Sequence, residues 1–567
     1  MYKDIIAKNT KELIDAATGA VKGDLLISNL KILDVYTDRI SEGSLLIKNG
    51  RIVSVLTNNR KDSFEALEEF DGQGMYALPG FIDPHFHVDS CLATPAALAE
   101  AVVPWGTTTI CAEVLDIAHY AHICDKDPVK AAKLYLKDME KLPFRVLPMA
   151  PGKMVPVEVT RELLDWDKNF GLGEMLPHNI LGKRDQYLNL IDYARQQHKF
   201  ISGHVLHRIW DFPKDNSDVR PDGCHMITEK EIDAFPIAGY SHDHEIFNYN
   251  DLLTILSRGM NVLVRTLDGM ASEILPGVIN DNIPTDNLNF SIDDLHIHDI
   301  KNNGHLNFAI QQAINMGMAP IKAIKMATIN NARLLGLNSE LGSLSPGRYA
   351  DIVLLSSLAD ITPQYVFKSG KLVASKGHLL EEPVIDYCEL KWDFSSTLQE
   401  LTALDLEFTK DEEKSIVYDV GSKEYVSVDM LSVEGDGDLL YGYILDRARD
   451  KKIIKVLLKG FNINEGAMAV SFSHNSSKII AAGRDKACIL KAIKEIDRHL
   501  GGIVAVDGKG EIIDLLDLDI AAVASSLTCK EITEKMQVME DGIRKNGGGI
   551  DNIFMVLWFV GFLYIWD

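Results

Sequence analysis

Two histidines one residue apart, His85 and His87, close the apolar run Pro79-Gly80-Phe81-Ile82-Asp83-Pro84. Side chains on a strand alternate between faces, so positions i and i+2 project together. Two imidazoles converging at a strand end make half of a transition-metal site. Such a pair also occurs in cores and on surfaces, so the remaining donors decide. Polar residues stand where other apolar runs end. Glu174 closes Gly171-Leu172-Gly173, His204 follows Ile201-Ser202-Gly203, and His242, Asp243, His244 and Glu245 follow Ala238-Gly239-Tyr240-Ser241. Asp293 and Asp294 follow Phe290-Ser291-Ile292. The chemistry this donor set could perform is hydrolysis by metal-activated water.

These groups can meet only if the runs that carry them are arranged around one rim. Residues 24–56 read as short strands, with Asn49-Gly50 as a hairpin turn between Ser44–Ile47 and Arg51–Val55. From residue 79 the texture changes. Short apolar runs alternate with helical patterns at Asp127–Leu142, Gln186–His198, Asn250–Arg258 and His305–Met316. Asp127 suits the cap of the first helix and Pro128 its first turn. Such alternation predicts a parallel βα array, and about eight units predict a barrel whose functional residues sit at the C-terminal strand ends. A second β cluster follows near residues 350–373, placed to complete the sheet begun at the N-terminus. We therefore expect an α/β chain: 1–78 as the first part of a β-sandwich, 79–340 as a TIM (β/α)8 barrel, 341–387 as the second part of the sandwich, and 388–567 as a C-terminal α+β domain.

The length of 567 residues suits several domains. Hydrophobic content of 46% and charged content of 25% are those of a globular protein. A net charge of −24 argues against nucleic acid or an anionic membrane as partner. Seven scattered cysteines without a Cys-x-x-Cys fit reduced thiols in a cytoplasm. Met1-Tyr2-Lys3-Asp4 opens no secretory signal. The apolar stretch Ile553–Trp566 is shorter than the ~20 residues a spanning helix needs, and is expected to pack the last domain against the barrel mouth.

The order His-x-His, Glu, His, His, Asp resembles the amidohydrolase superfamily, and within it the adenine deaminase family. The motifs that carry the resemblance are Pro79–His87, Gly173-Glu174-Met175, Gly203-His204, Ser241–Glu245, Asp293-Asp294, Gly304-His305-Leu306-Asn307 and Met326–Asn330. It runs from about residue 22 to near the C-terminus. It implies two divalent metal ions, manganese or iron foremost and zinc as an option, held by His85, His87, Glu174, His204, His244 and Asp293. Glu174 would bridge them. Asp293 would also accept the proton of the attacking water, and Glu245 would exchange protons with a ring nitrogen. Asp89, Glu113 and Asp294 would contact the substrate, a small purine base. The activity implied is hydrolytic deamination of adenine to hypoxanthine and ammonia, in purine salvage, by a cytoplasmic enzyme that could form a homo-oligomer. His242 competes with His244 as ligand, and the motif register favours His244.

Several family positions differ here. The family's Asp-Pro-His-Glu after the second barrel strand reads Glu113-Val114-Leu115-Asp116, the Glu after His-x-His is Asp89, and the Arg after Asp-Asp is Leu295. A C-terminal His-Asp-Ser-His-Asn reads His474-Asn475-Ser476-Ser477-Lys478. The metal set persists while much of the substrate-contact set does not. Because a hydrogen-bonding pocket discriminates strongly, a related amidohydrolase acting on another purine or a cyclic amide is the alternative, and a non-catalytic relative a more distant one.

Overall fold

The structure, a computed structural model, describes residues 10–57, 64–205, 208–209, 225–246, 248–266, 269–392, 398–408, 417–419, 424–426, 438–445, 453–471, 478–545 and 547–561. Most of the C-terminal His474–Lys478 motif lies outside these residues.

The N-terminal strands are β1 (Gly23–Asp34), β2 (Arg39–Lys48), β3 (Arg51–Thr57) and β4 (Ala66–Pro79). Of the short strands expected over residues 24–56, the first spans Gly23–Asp34 without a break. Its register shifts between Ile27 and Leu30, where Asn29 takes a left-handed φ of 55°. A bulge thus bends a single strand, and the polar interruption does not end it. Strand β4 escaped the sequence reading because Glu68-Glu69 and Asp71-Gly72-Gln73-Gly74 hide its β character. It pairs in parallel with β1 and leads directly into the barrel.

Eight short parallel strands line the barrel: β5 (Phe81–His87), β6 (Thr107–Glu113), β7 (Arg145–Ala150), β8 (Gly171–Leu172), β9 (Phe200–Ile201), then, beyond a small hairpin of β10 (Arg208–Ile209) and β11 (His225–Met226), β12 (His242–Asp243), β13 (Asn261–Val264) and β14 (Leu288–Phe290). Their ladders form a five-stranded and a three-stranded sheet. The ring is closed on one side by the parallel bridge of Phe86 with Asp293 and on the other by the Ser241 hydroxyl, which donates to the Ile201 carbonyl at 2.7 Å. Helices cover the outside, and the predicted ones appear with shifted or trimmed ends. The segment expected to be helical to Leu142 is helical over Pro128–Tyr135, started by the Asp127 side chain accepting from the Lys130 amide, and a short 3₁₀ turn follows at Met139–Lys141.

After the barrel come β15 (Ile352–Leu355), β16 (Pro363–Lys368), β17 (Lys371–Ser375) and β18 (His378–Leu379). Strand β15 pairs antiparallel with β4, so segments from before and after the barrel form one eight-stranded sheet in the order β18-β17-β16-β15-β4-β1-β2-β3. That sheet curls until Arg51 bridges Tyr349 and encloses Ile27, Leu45, Ile52, Ile352, Leu354 and Phe367. Arg145, at the entry of β7, donates to Asp351 at 2.7 Å and ties the barrel floor to this sheet.

A second eight-stranded sheet forms the C-terminal region, in the order β20-β19-β22-β21-β24-β23-β25-β26, from β19 (Val417–Asp419), β20 (Glu424–Val426), β21 (Leu440–Leu445), β22 (Ile453–Lys459), β23 (Ala467–Val470), β24 (Ile479–Gly483), β25 (Gly502–Val506) and β26 (Ile512–Asp517). The helix Lys486–Arg498 packs on one part of it and the helix Cys529–Lys545 on another. The apolar tail is helical over Ile553–Val560 and lies against β23 and β24. Its Trp558 is fully buried beside the barrel residue His296, with ring centroids 6.2 Å apart. No described helix is long and apolar enough to cross a membrane. Trp558→Ala removes a large buried side chain at this seam and is expected to cost about 3–5 kcal/mol in urea unfolding.

Candidate metal centre

Strand β5 delivers the first two imidazoles, and its local chemistry explains how. Pro84 has no N–H, so the ladder to β6 slips between Asp83 and Phe86. The freed backbone is held by Asp83, whose Oδ1 accepts from the His85 amide at 3.2 Å. His85 and His87 end the strand fully buried, with ring centroids 5.1 Å apart. The strand's other edge pairs with Asp293. The His87 amide donates to the Asp293 carbonyl at 2.9 Å, and the Asp293 amide to that of His85 at 3.1 Å. Asp293 has a left-handed φ of 69°, a conformation that costs energy outside glycine and clusters at functional sites. Its Oδ1 lies 3.1 Å from His85 Nε2 and 3.5 Å from His87 Nε2.

Glu174 stands at the centre of the remaining donors. Its Oε1 lies 3.2 Å from His87 Nε2, and its Oε2 lies 2.5 Å from His204 Nδ1 and 3.2 Å from His244 Nε2. The last two nitrogens are 3.1 Å apart. The carboxylate therefore spans the gap between the His85–His87 pair and the His204–His244 pair. His242 lies behind this group, stacked on Phe200 and 2.9 Å from the Ser241 hydroxyl, so His244 is the one that reaches the carboxylate.

Two glycines make the convergence sterically feasible. A Cβ on Gly203 would stand 1.5 Å from the His242 carbonyl oxygen, so only glycine lets the β9 end meet β12. A Cβ on Gly173 would stand 2.4 Å from Glu113 Oε2. Gly203→Ala is expected to force this seam apart and to destabilise the fold by about 1–3 kcal/mol or more, read in denaturant unfolding, with loss of bound metal.

Of the residues expected to contact substrate, Glu113 lies within the group: its Oε1 is 3.6 Å from His85 Nδ1 and accepts from the Glu174 amide at 3.1 Å. Asp89 is fully buried, and its Oδ2 accepts from the Ile117 amide at the start of the helix Leu115–Ile123. Asp294 is half-buried beside His87. Glu245 is drawn in by Arg265, whose guanidinium donates to Glu245 Oε1 at 2.8 Å and to Asp293 Oδ2 at 2.5 Å.

Two cations at this site escaped the sequence reading. Lys153, 2% exposed, sets its ammonium directly against Glu174. Arg265 orients both Glu245 and Asp293. Each had a signal: a charged residue just past an apolar strand, at Met149-Ala150-Pro151-Gly152-Lys153 and Val262-Leu263-Val264-Arg265. A cavity of about 280 Å3 borders the group, lined among others by His122, Lys153, Leu176, His178, Arg184 and Tyr187.

The electrostatics are those of a site built for positive charge. Burial alone would raise the Glu174 carboxyl, yet Lys153, His204 and His244 hold it well below the usual carboxylate range. Asp293 is likewise lowered against its burial by Arg265 and His85. Burial would lower the His87 imidazole, but the charges of Asp294 and Glu174 push it up to about 10. Three overlapping sets, His85–His87–Asp293, His85–Glu174–His244 and His204–His244–Glu245, each place their donor atoms within 4.8 Å of one another. His204 Nε2 and His244 Nδ1 are buried without a hydrogen-bond partner among the described residues. A donor set of imidazoles and carboxylates, with one carboxylate shared between two clusters, fits two divalent cations.

A parallel eight-stranded barrel with such donors on its C-terminal rim defines an amidohydrolase, a metal-dependent hydrolase acting on C–N bonds. Residues 263–373 match the amidohydrolase family, and residues 413–566 match the adenine deaminase C-terminal domain. An adenine deaminase of Desulforamulus reducens is 34% identical over 97% of this chain and 93% of its own. Those of Petrotoga mobilis and Desulfitobacterium hafniense are 29% and 27% identical, over 98% and 94% of this chain and 95% and 91% of theirs. The chain belongs to the adenine deaminase family.

Proposed function

We propose that this protein hydrolyses adenine and water to hypoxanthine and ammonia. The observation that carries the reading is Glu174, a single carboxylate touched by imidazoles of two clusters from separate barrel strands. In this reading His85, His87 and Asp293 would hold one divalent cation and His204 and His244 a second, with Glu174 shared between the two sets. Manganese or iron suits the mixed imidazole and carboxylate donors, with zinc as the alternative. Bound cations supply Lewis acidity and bring the pKa of water toward neutrality.

The chain's own residues then manage protons and orientation. Asp293, fixed by Arg265 and His85, accepts a proton as water adds to the purine carbon that bears the amino group, and passes it to the departing ammonia. Glu245, held by the same guanidinium, exchanges a proton with the adjacent ring nitrogen. Glu113 and Asp294 contact the base, while Asp89 acts as a positioning residue through the helix it anchors. Six described cysteines are free thiols, in keeping with a cytoplasmic enzyme of purine salvage.

The alternative of a related substrate rests on the altered motif at Glu113-Val114-Leu115-Asp116, where Glu113 accepts from the Glu174 amide. Ammonia release should therefore be measured with manganese-, iron- and zinc-loaded protein on adenine, adenosine, guanine and a cyclic amide. Adenine is expected to exceed the other compounds by at least about 100-fold in kcat/KM, the discrimination of a site that hydrogen-bonds its substrate. Turnover confined to another ring would transfer the reading to that ring.

A further inference from the structure

A second set of metal-binding side chains lies outside the centre just described, at the seam between the barrel and the C-terminal region. His296 precedes the helix Ile297–Asn303, and His298 and Asp299 lie in its first turn. The three are 1%, 3% and 5% exposed. One ring nitrogen of each histidine and one carboxylate oxygen of Asp299 lie within 4.8 Å of one another. Glu540, on the helix Cys529–Lys545, stands against this cluster, its Oε1 3.2 Å from His298 Nε2. His298 Nε2 is also 3.6 Å from Asp299 Oδ2. His296 Nε2 and Asp299 Oδ2 are buried without a hydrogen-bond partner among the described residues, beside the His298 Nε2 that faces Glu540. Buried polar atoms left in this state cost energy, and two of them in one cluster need a common explanation.

We propose that His296, His298, Asp299 and Glu540 form a structural site for one further divalent cation of zinc-like preference, which clamps the C-terminal region onto the barrel. Two imidazoles and two carboxylates are a sufficient donor set for a closed four-coordinate site. The donors come from both sides of the seam, three from the barrel and one from the C-terminal helix. Trp558 covers His296, and Arg544 reaches the outer oxygen of Glu540 at 3.8 Å, as orienting partners around a metal site do. Burial keeps the His296 imidazole well below its usual pKa and therefore neutral and able to ligate. The set shares no residue with the Glu174 centre, so the inference does not depend on the substrate.

The test is metal stoichiometry on the full-length chain. Wild type, His298→Gln and His296→Gln are stripped with chelator, refilled with Zn2+, desalted and assayed for zinc per chain, with circular dichroism to confirm folding. Wild type is expected to retain one more equivalent than either variant. Refilling with Co2+ should give the wild type an additional visible d–d absorption that both variants lack. Equal stoichiometry in all three chains overturns the proposal. Should His298→Gln fail to fold, His296→Gln decides, since it leaves the His298–Glu540 pair in place. A further arm uses a His85→Asn/His87→Asn chain with an impaired main centre: Zn2+ is expected to raise its Tm, and the addition of His296→Gln should abolish that rise. A rise that survives His296→Gln overturns the proposal.

Discussion

Glu174→Gln should reduce kcat/KM for deamination by 10³-fold or more and release cations from both clusters. The substitution keeps the shape of the side chain but removes the charge that meets His87, His204, His244 and Lys153. Two costs follow. A neutral amide is a poor shared ligand, and a single acid–base or charge-stabilising group is worth ~10²–10⁴-fold by itself. In addition, the Lys153 ammonium stays buried with its partner gone. Removing one member of a buried pair costs about 3–5 kcal/mol, so Tm should fall as well. Metal analysis, ammonia release and thermal unfolding on one preparation separate the two effects. If the variant keeps its full metal complement and activity within tenfold of wild type, Glu174 does not bridge.

Asp293→Asn should have a different signature. Asparagine can still accept from Arg265 through its amide oxygen, so the barrel closure at the Phe86–Asp293 bridge should survive. The carboxylate proposed to take up the proton of water is lost, and kcat should fall by ~10²–10⁴-fold with KM little changed. The left-handed φ of 69° favours this variant as a probe, because asparagine tolerates that conformation better than most residues. A variant with kcat within tenfold of wild type would remove Asp293 from the proton path and pass the role to Glu245.

The relation between these two residues shows how the site was legible. Both were read as carboxylates just past apolar runs, a local pattern that gains meaning once the runs are taken as barrel strands with functional ends. His85 and His87 were found in the same way, because strand periodicity alone makes i and i+2 neighbours. Strand β4 was missed for the converse reason. Its carboxylates and glycines carry no apolar alternation, and it is extended because β1 and β15 pair with it.

The amino-acid sequence by itself determined the barrel, the order of its candidate metal donors and the family, since all three depend on residues close together in the chain or on their order along it. Tertiary structure alone decided which donors touch. It put His244 rather than His242 on Glu174, turned Asp89 toward a helix end, and brought Lys153 and Arg265 to carboxylates 21 and 28 residues distant. It also joined Glu540 to His298 across 242 positions. Contacts of this kind depend on barrel closure and domain docking. No pattern within a short segment encodes them, because the partner's position is set by the packing of everything between.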